Sequence, residues 1–272
     1  MKIIVILFFS MLLALPTYGQ NRETDYLSHV LEKMNAVESV TYHCVKKAWE
    51  PGDKEPVYSV PREIYEHVNP QDTAVGYSFL CASDKEFRQP LWVYDGTVFA
   101  YIEKEEKEVR IDDFTQKSPL PFRVIMPQAF GCMKSILEYV LNTQDSIVLS
   151  LKDEGKDYLM ELSIHTPYQV EFFGKACYMP QNPYIYDPTS IYKIWISKEN
   201  DMPYRYRREM QHSISEDICS DFVYNPSGKG KIVAEDYYPA DYVRRIKGEK
   251  SQKATVDMTG KKAPDWTLTD MK

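Results

Sequence analysis

The sequence has no Cys-x-x-Cys pair, no His-x-x-x-His or His-Glu-x-x-His spacing, and no Gly-x-Ser-x-Gly elbow. The first absence excludes a zinc site built from close cysteine pairs and a thioredoxin-type redox centre within this chain. The second leaves the five histidines, His29, His43, His67, His165 and His212, without metal-ligand spacing. The third, with the lack of a phosphate-cradling glycine loop, removes support for hydrolase and nucleotide chemistry. Positive charge is also in deficit. Lys plus Arg number 33 against 40 Asp plus Glu, a formal charge of -7 and a sequence pI near 5.4. Nucleic acid as the main partner needs a cationic face, which this balance argues against. No stretch after the N-terminus is long and apolar enough to span a bilayer. There is no internal repeat and no low-complexity block.

What is present is an aromatic, β-leaning chain of 272 residues, 43% hydrophobic, whose 21 tyrosines outnumber its 11 phenylalanines and 4 tryptophans together. Tyrosine suits half-buried strands, where the ring packs and the hydroxyl stays wet. Met1-Lys2, the apolar run over residues 3–15 and the small residue Gly19 read as a secretory signal over residues 1–19, cut after Gly19. Pro16 interrupts the run too early for a membrane span. No cysteine stands at the cut, which argues against a lipid anchor. The mature protein is expected to be exported, to a periplasm. That compartment is oxidising, so the five cysteines matter. Cys177 and Cys219 are the expected disulfide, each flanking a strand of the C-terminal half. Cys44, Cys81 and Cys132 read equally well as small buried hydrophobes.

Along the chain, Tyr26, Leu27, Val30, Leu31, Met34 and Val37 share one helical face, with Thr24 as N-cap. Alternation then takes over. Val40, Tyr42 and Cys44 face one way and Thr41, His43 and Val45 the other. Residues 57–68 and 75–81 follow as strands, Pro61 marking an edge or bulge in the first. Residues 91–102 read as a hairpin whose Asp95-Gly96 supplies the positive φ angles of a two-residue turn. Further hairpins cover residues 147–164 and 191–210. Met133, Ile136, Leu137, Val140 and Leu141 form a second helix between the first two hairpins. A last strand spans residues 231–238. Consecutive hairpins imply an antiparallel meander, since two helices cannot cover parallel crossovers. The expected fold is α+β and mainly antiparallel β: an open, curved meander or half-barrel with an N-terminal helix and one inserted helix.

The stretch over residues 191–207, with its strand, acidic turn, Pro203 and basic strand, resembles the LolA/LolB-like lipoprotein carrier half-barrels, as does the Asp95-Gly96 hairpin. The resemblance covers roughly residues 24–242 and implies a carrier-like domain over residues 20–243. Residues 244–259 are polar and basic and read as a linker. Residues 260–272, containing Ala263-Pro264-Asp265, resemble the opening of a TlpA/peroxiredoxin-type redoxin domain, which would be thioredoxin-like. That resemblance implies a thiol-disulfide oxidoreductase whose catalytic part lies beyond this chain.

Asp112-Asp113 and Glu105-Glu106 read as solvated turns rather than acid–base pairs, and Arg205, Arg207 and Arg208 as a basic strand end. No catalytic residue, cofactor or metal ligand is expected. An open, bent sheet leaves a concave face, and Trp92, Tyr94, Phe99, Tyr101, Trp195 and Tyr204 are its candidate ligand-binding residues. The same six also read as ordinary core and cross-strand pairs, because alternation does not tell inside from outside. The expected partners are an apolar ligand, either an acyl chain or a peptide, or a client protein. A free-standing lipid or lipoprotein carrier and a homodimerisation platform built on an edge strand are the alternatives.

Overall fold

The computed structural model describes residues 17–115 and 122–248. Most of the expected export signal lies outside the described residues, as do residues 249–259 of the expected linker and the whole redoxin-like segment. The framework is one twelve-stranded sheet with two helices on its inner face and a separate two-stranded ribbon.

Helix α1, Thr17–Asn35, precedes six strands: β1 Ser39–Trp49, β2 Tyr58–Val68, β3 Tyr77–Ala82, β4 Pro90–Tyr94, β5 Val98–Glu103 and β6 Glu108–Asp113. Helix α2, Ala129–Asn142, follows. Then come β7 Ile147–Asp153, β8 Asp157–Ile164, β9 Val170–Phe172, β10 Ala176–Tyr178, β11 Ser190–Ser197, β12 Met202–Met210, β13 Ser213–Tyr224 and β14 Val243–Ile246. The sheet order is β14-β6-β5-β4-β3-β2-β1-β13-β12-β11-β8-β7, and β9 and β10 form the ribbon. The outermost strands β14 and β7 do not pair with each other, so the sheet stays open. All pairings are antiparallel except β14 on β6. The α+β half-barrel read from the sequence is therefore the fold.

Several local expectations shift. Thr24 is no N-cap, because α1 already runs from Thr17 and the Thr24 carbonyl accepts a bond from Ser28 Oγ. In the β4–β5 turn only Gly96 takes a positive φ, 100°. Asp95 acts through its side chain instead, accepting the Thr97 and Val98 backbone N–H groups, each at 2.8 Å. Asp112 and Asp113 belong to β6 rather than to a turn. Residues 231–238 form no strand. They carry a short 3-10 turn, Ala234–Tyr237, and lay Ile232, Ala234 and Tyr238 over the outer face of β3–β6. The start of the expected linker, Arg244–Ile246, belongs to the edge strand β14. Pro61 sits where β2 pairs with β1 alone, beyond the reach of β3, so its missing N–H costs no ladder bond.

The main core lies between the inner face of the sheet and the helices. Leu27, Val30 and Met34 of α1 and Phe130, Met133, Ile136 and Leu137 of α2 meet Tyr42, Ile64, Met160, Leu162, Ile194 and Tyr206. Each such side chain contributes about 1.5–3 kcal/mol by leaving water. The start of α2 is tied down from a distance. Gln128, at its N-cap, makes no side-chain capping bond. The buried Glu66 of β2 accepts the Phe130 N–H at 3.0 Å and the Gly131 N–H at 3.1 Å, and Tyr42 Oη donates to it at 2.5 Å. The carboxyl oxygens there satisfy helix N–H groups that have no intrahelical partner.

Candidate functional site

Four of the six expected ligand residues share the inner face of β4 and β5. Trp92 stands opposite Tyr101 and Tyr94 opposite Phe99 across the antiparallel pair. The Trp92 and Tyr101 rings stack with centroids 6.2 Å apart and planes 10° from parallel. Tyr101 is 42% exposed, whereas Tyr94 is fully buried. The two pairs therefore differ in role. Tyr94 Oη donates to Asp72 at 2.6 Å and accepts from Arg123 Nη1 at 2.8 Å, while its ring lies 5.3 Å from Phe79. That network fixes the segment preceding α2 against the sheet. Burial and the hydrogen bond to Asp72 push the Tyr94 hydroxyl well up, so it stays a neutral donor.

Trp92 and Tyr101 form an aromatic shelf instead. The helices pack on each other, on β12 and on the ribbon. Tyr101 is left open to solvent beyond them, towards the β14 edge. A cavity of about 330 Å³ adjoins the shelf there, lined by Phe99, Tyr101, Arg110, Asp112, Arg245 and Lys247. Its charges are matched: Arg110 meets Glu103 at 2.8 Å, Lys247 meets Asp112 at 2.9 Å, and Arg245 meets Glu108. On the other side of the shelf, the Arg62 guanidinium lies over the Trp92 ring, 4.5 Å from its centroid. Sequence reading missed Arg62. The signal was its place two residues before Ile64, and four before Glu66, on an alternating strand.

The other two expected residues go elsewhere. Ile194 and Ile196 of β11 are buried inward, so Trp195 points to the outer face, where Arg205 stacks on it at 3.9 Å. Tyr204 follows a register shift between β11 and β12 and donates to Asp157 at 2.8 Å. It lines a separate cavity of about 630 Å³ of mixed character, together with Lys156, Asp157, Met202, Pro203 and Phe222. Neither reaches the shelf.

The cysteine pairing also changes. All five cysteines are free and buried. Cys219 stands opposite Cys44 across β1 and β13, while Cys177 lies on the ribbon, so the Cys177–Cys219 pair does not form. Burial pushes the thiols of Cys81 and Cys219 far up and that of Cys132 to about 12, which holds them protonated and unreactive. The basic strand end is neutralised as well. Arg205 pairs with Glu216, Arg207 with Glu209 at 2.6 Å, and Arg208 with the buried Glu171. Among the described residues, no group of three or more His, Cys, Asp or Glu side chains is placed to hold a metal ion. No helix among them is long and apolar enough to cross a membrane.

No protein-family description and no curated protein matches this chain. Among solved structures, it is similar to the lipoprotein LppX of Mycobacterium tuberculosis at 8% identity, over 77% of this chain and 97% of that one, TM-score 0.38. LprF from Mycobacterium bovis matches at 11% identity, over 77% and 98% of the two chains, TM-score 0.37. A LolA superfamily protein from Nitrosomonas europaea matches at 10% identity, over 80% and 99%, TM-score 0.28. Identities and TM-scores at this level transfer no residue role and no ligand to this chain.

Proposed function

We propose that this chain is a non-catalytic binding domain that holds an apolar ligand, an acyl chain or an apolar peptide segment, on the open inner face of its sheet. The observation that carries the reading is the Trp92–Tyr101 shelf, stacked and partly exposed beside a cavity at the end of that face lying beyond the two described helices. Large aromatic surface left accessible in a concavity is the usual physical basis for binding apolar ligands. Burying it gains roughly 25 cal/mol per Å². The resemblance of residues 260–272 to a redoxin opening supports a further role. The domain would bring its ligand or a client protein to a thiol-disulfide oxidoreductase, in an exported, periplasmic protein. The free-standing lipid or lipoprotein carrier is the same binding reading without that partner domain.

Titration of the full chain with the neutral fluorophore N-phenyl-1-naphthylamine tests the binding site. Saturable binding is expected, weakened about tenfold by Trp92→Ala and unchanged by Trp195→Ala, whose ring lies on the opposite face. Absence of saturable binding, or equal affinity in the Trp92→Ala variant, refutes the site.

A further inference from the structure

The half-buried arginines of the described sheet and its crossing segment are neutralised by carboxylates with one exception. Arg123 meets Asp72 at 3.3 Å, Arg207 meets Glu209 at 2.6 Å, and Arg205 and Arg208 meet Glu216 and Glu171. Arg62 has no carboxylate and no hydrogen-bond acceptor among the described residues, and its Nε is buried without a partner. Its one specific contact is the Trp92 ring beneath the guanidinium. An arginine is charged at every working pH, and a partly desolvated charge without a counter-ion is unfavourable. Stacking on tryptophan returns part of that cost and also fixes the plane of the guanidinium fork.

We infer that Arg62 is the head-group site of the shelf and that the ligand is an amphiphile with an oxyanion head, a carboxylate or a phosphate. The inference rests on the apolar-ligand reading and adds the charge of the ligand to it. The head pairs with the guanidinium while the chain runs over Trp92 and Tyr101 towards the cavity at the β14 edge. The cations at that far end are already matched by Glu103, Glu108 and Asp112, so they do not compete for the head. Arginine suits this task because its planar fork meets two oxygens of one oxyanion at once.

The test displaces N-phenyl-1-naphthylamine from the full chain with three ligands sharing one tail: oleate, 1-oleoyl-lysophosphatidate and oleyl alcohol. In the unaltered protein at least one anion is expected to displace the probe at about tenfold lower concentration than the alcohol, and the better anion identifies carboxylate or phosphate. Arg62→Gln should bring both anions to the level of the alcohol, each displacement being read against the probe affinity of that same variant, and Arg62→Lys should keep part of the preference. Equal displacement by all three ligands in the unaltered protein overturns the role of Arg62 and leaves the apolar site standing. That comparison needs no variant to fold. Failure of the probe itself to bind overturns the reading beneath.

Discussion

Glu66 makes the stability of this protein depend on pH in a direction opposite to that of most carboxylates. It is fully buried, and desolvation raises its pKa from 4.5 to about 7 against the lowering effect of the bonds from Tyr42, Gly131 and Phe130. The folded state therefore holds a proton that the unfolded chain releases between pH 4.5 and 7. The contribution of Glu66 to stability is fully present below pH 4.5, declines as the pH rises through the folded value near 7 and levels off about one unit above it. The displacement corresponds to about 3 kcal/mol, most of it lost between pH 5 and 8. Asp95 and Glu209 behave in the opposite sense: their hydrogen bonds outweigh burial and hold them below their ordinary values. Comparing the protein with its Glu66→Gln variant cancels such background groups. Gln keeps the size of the side chain and one acceptor oxygen for the α2 N-terminus but cannot ionise. Urea unfolding of both proteins at pH 5 and pH 8 is the assay. The stability of the parent relative to the variant should fall by roughly 2–3 kcal/mol from the lower to the higher pH. A difference that stays constant within about 0.5 kcal/mol would show that Glu66 ionises in the core as it does in water.

The same helix start leaves little room for a side chain at Gly131. A Cβ there would lie 2.8 Å from Glu66 Oε2 and 3.0 Å from the Tyr77 ring. Gly131→Ala should destabilise by about 1–3 kcal/mol in thermal or urea unfolding, although alanine is the better helix former by about 1 kcal/mol; a stabilised variant refutes the cap geometry. The thiols give a second check. Protein purified under reducing conditions should show essentially no reaction with Ellman's reagent while native and five reactive thiols after denaturation. A thiol that reacts rapidly in the native protein would contradict the burial described.

Periodicity made the framework legible. The helical spacing of Met133, Ile136, Leu137 and Val140 falls in α2, and the alternation of Val40, Tyr42 and Cys44 falls in β1. Three hairpins stand where their turn residues place them. β13 was harder to see, because Glu216 and Asp217 look like surface residues. They are buried only because Arg205, Arg207 and Lys46 on the neighbouring strands neutralise them. Residues 231–238 carry a pattern that suits a strand equally well. Their apolar groups are satisfied by lying across the outer face of β3–β6 rather than by joining the ladder.

Local sequence fixed which residues share a face within each strand, since successive side chains point to opposite sides. It placed Trp92 with Tyr94, and Phe99 with Tyr101, and set Trp195 apart from Ile194 and Ile196. Which face turns inward depends on where the helices dock, and that is a property of the assembled sheet. Only the tertiary structure put Trp92 and Tyr101 on the open inner face, sent Trp195 to the outside, and left Arg62 beside the shelf without an anion. The physical reason is that alternation has a period but no sign. Burial against a distant element supplies the sign, and contacts between residues far apart in the chain decide it.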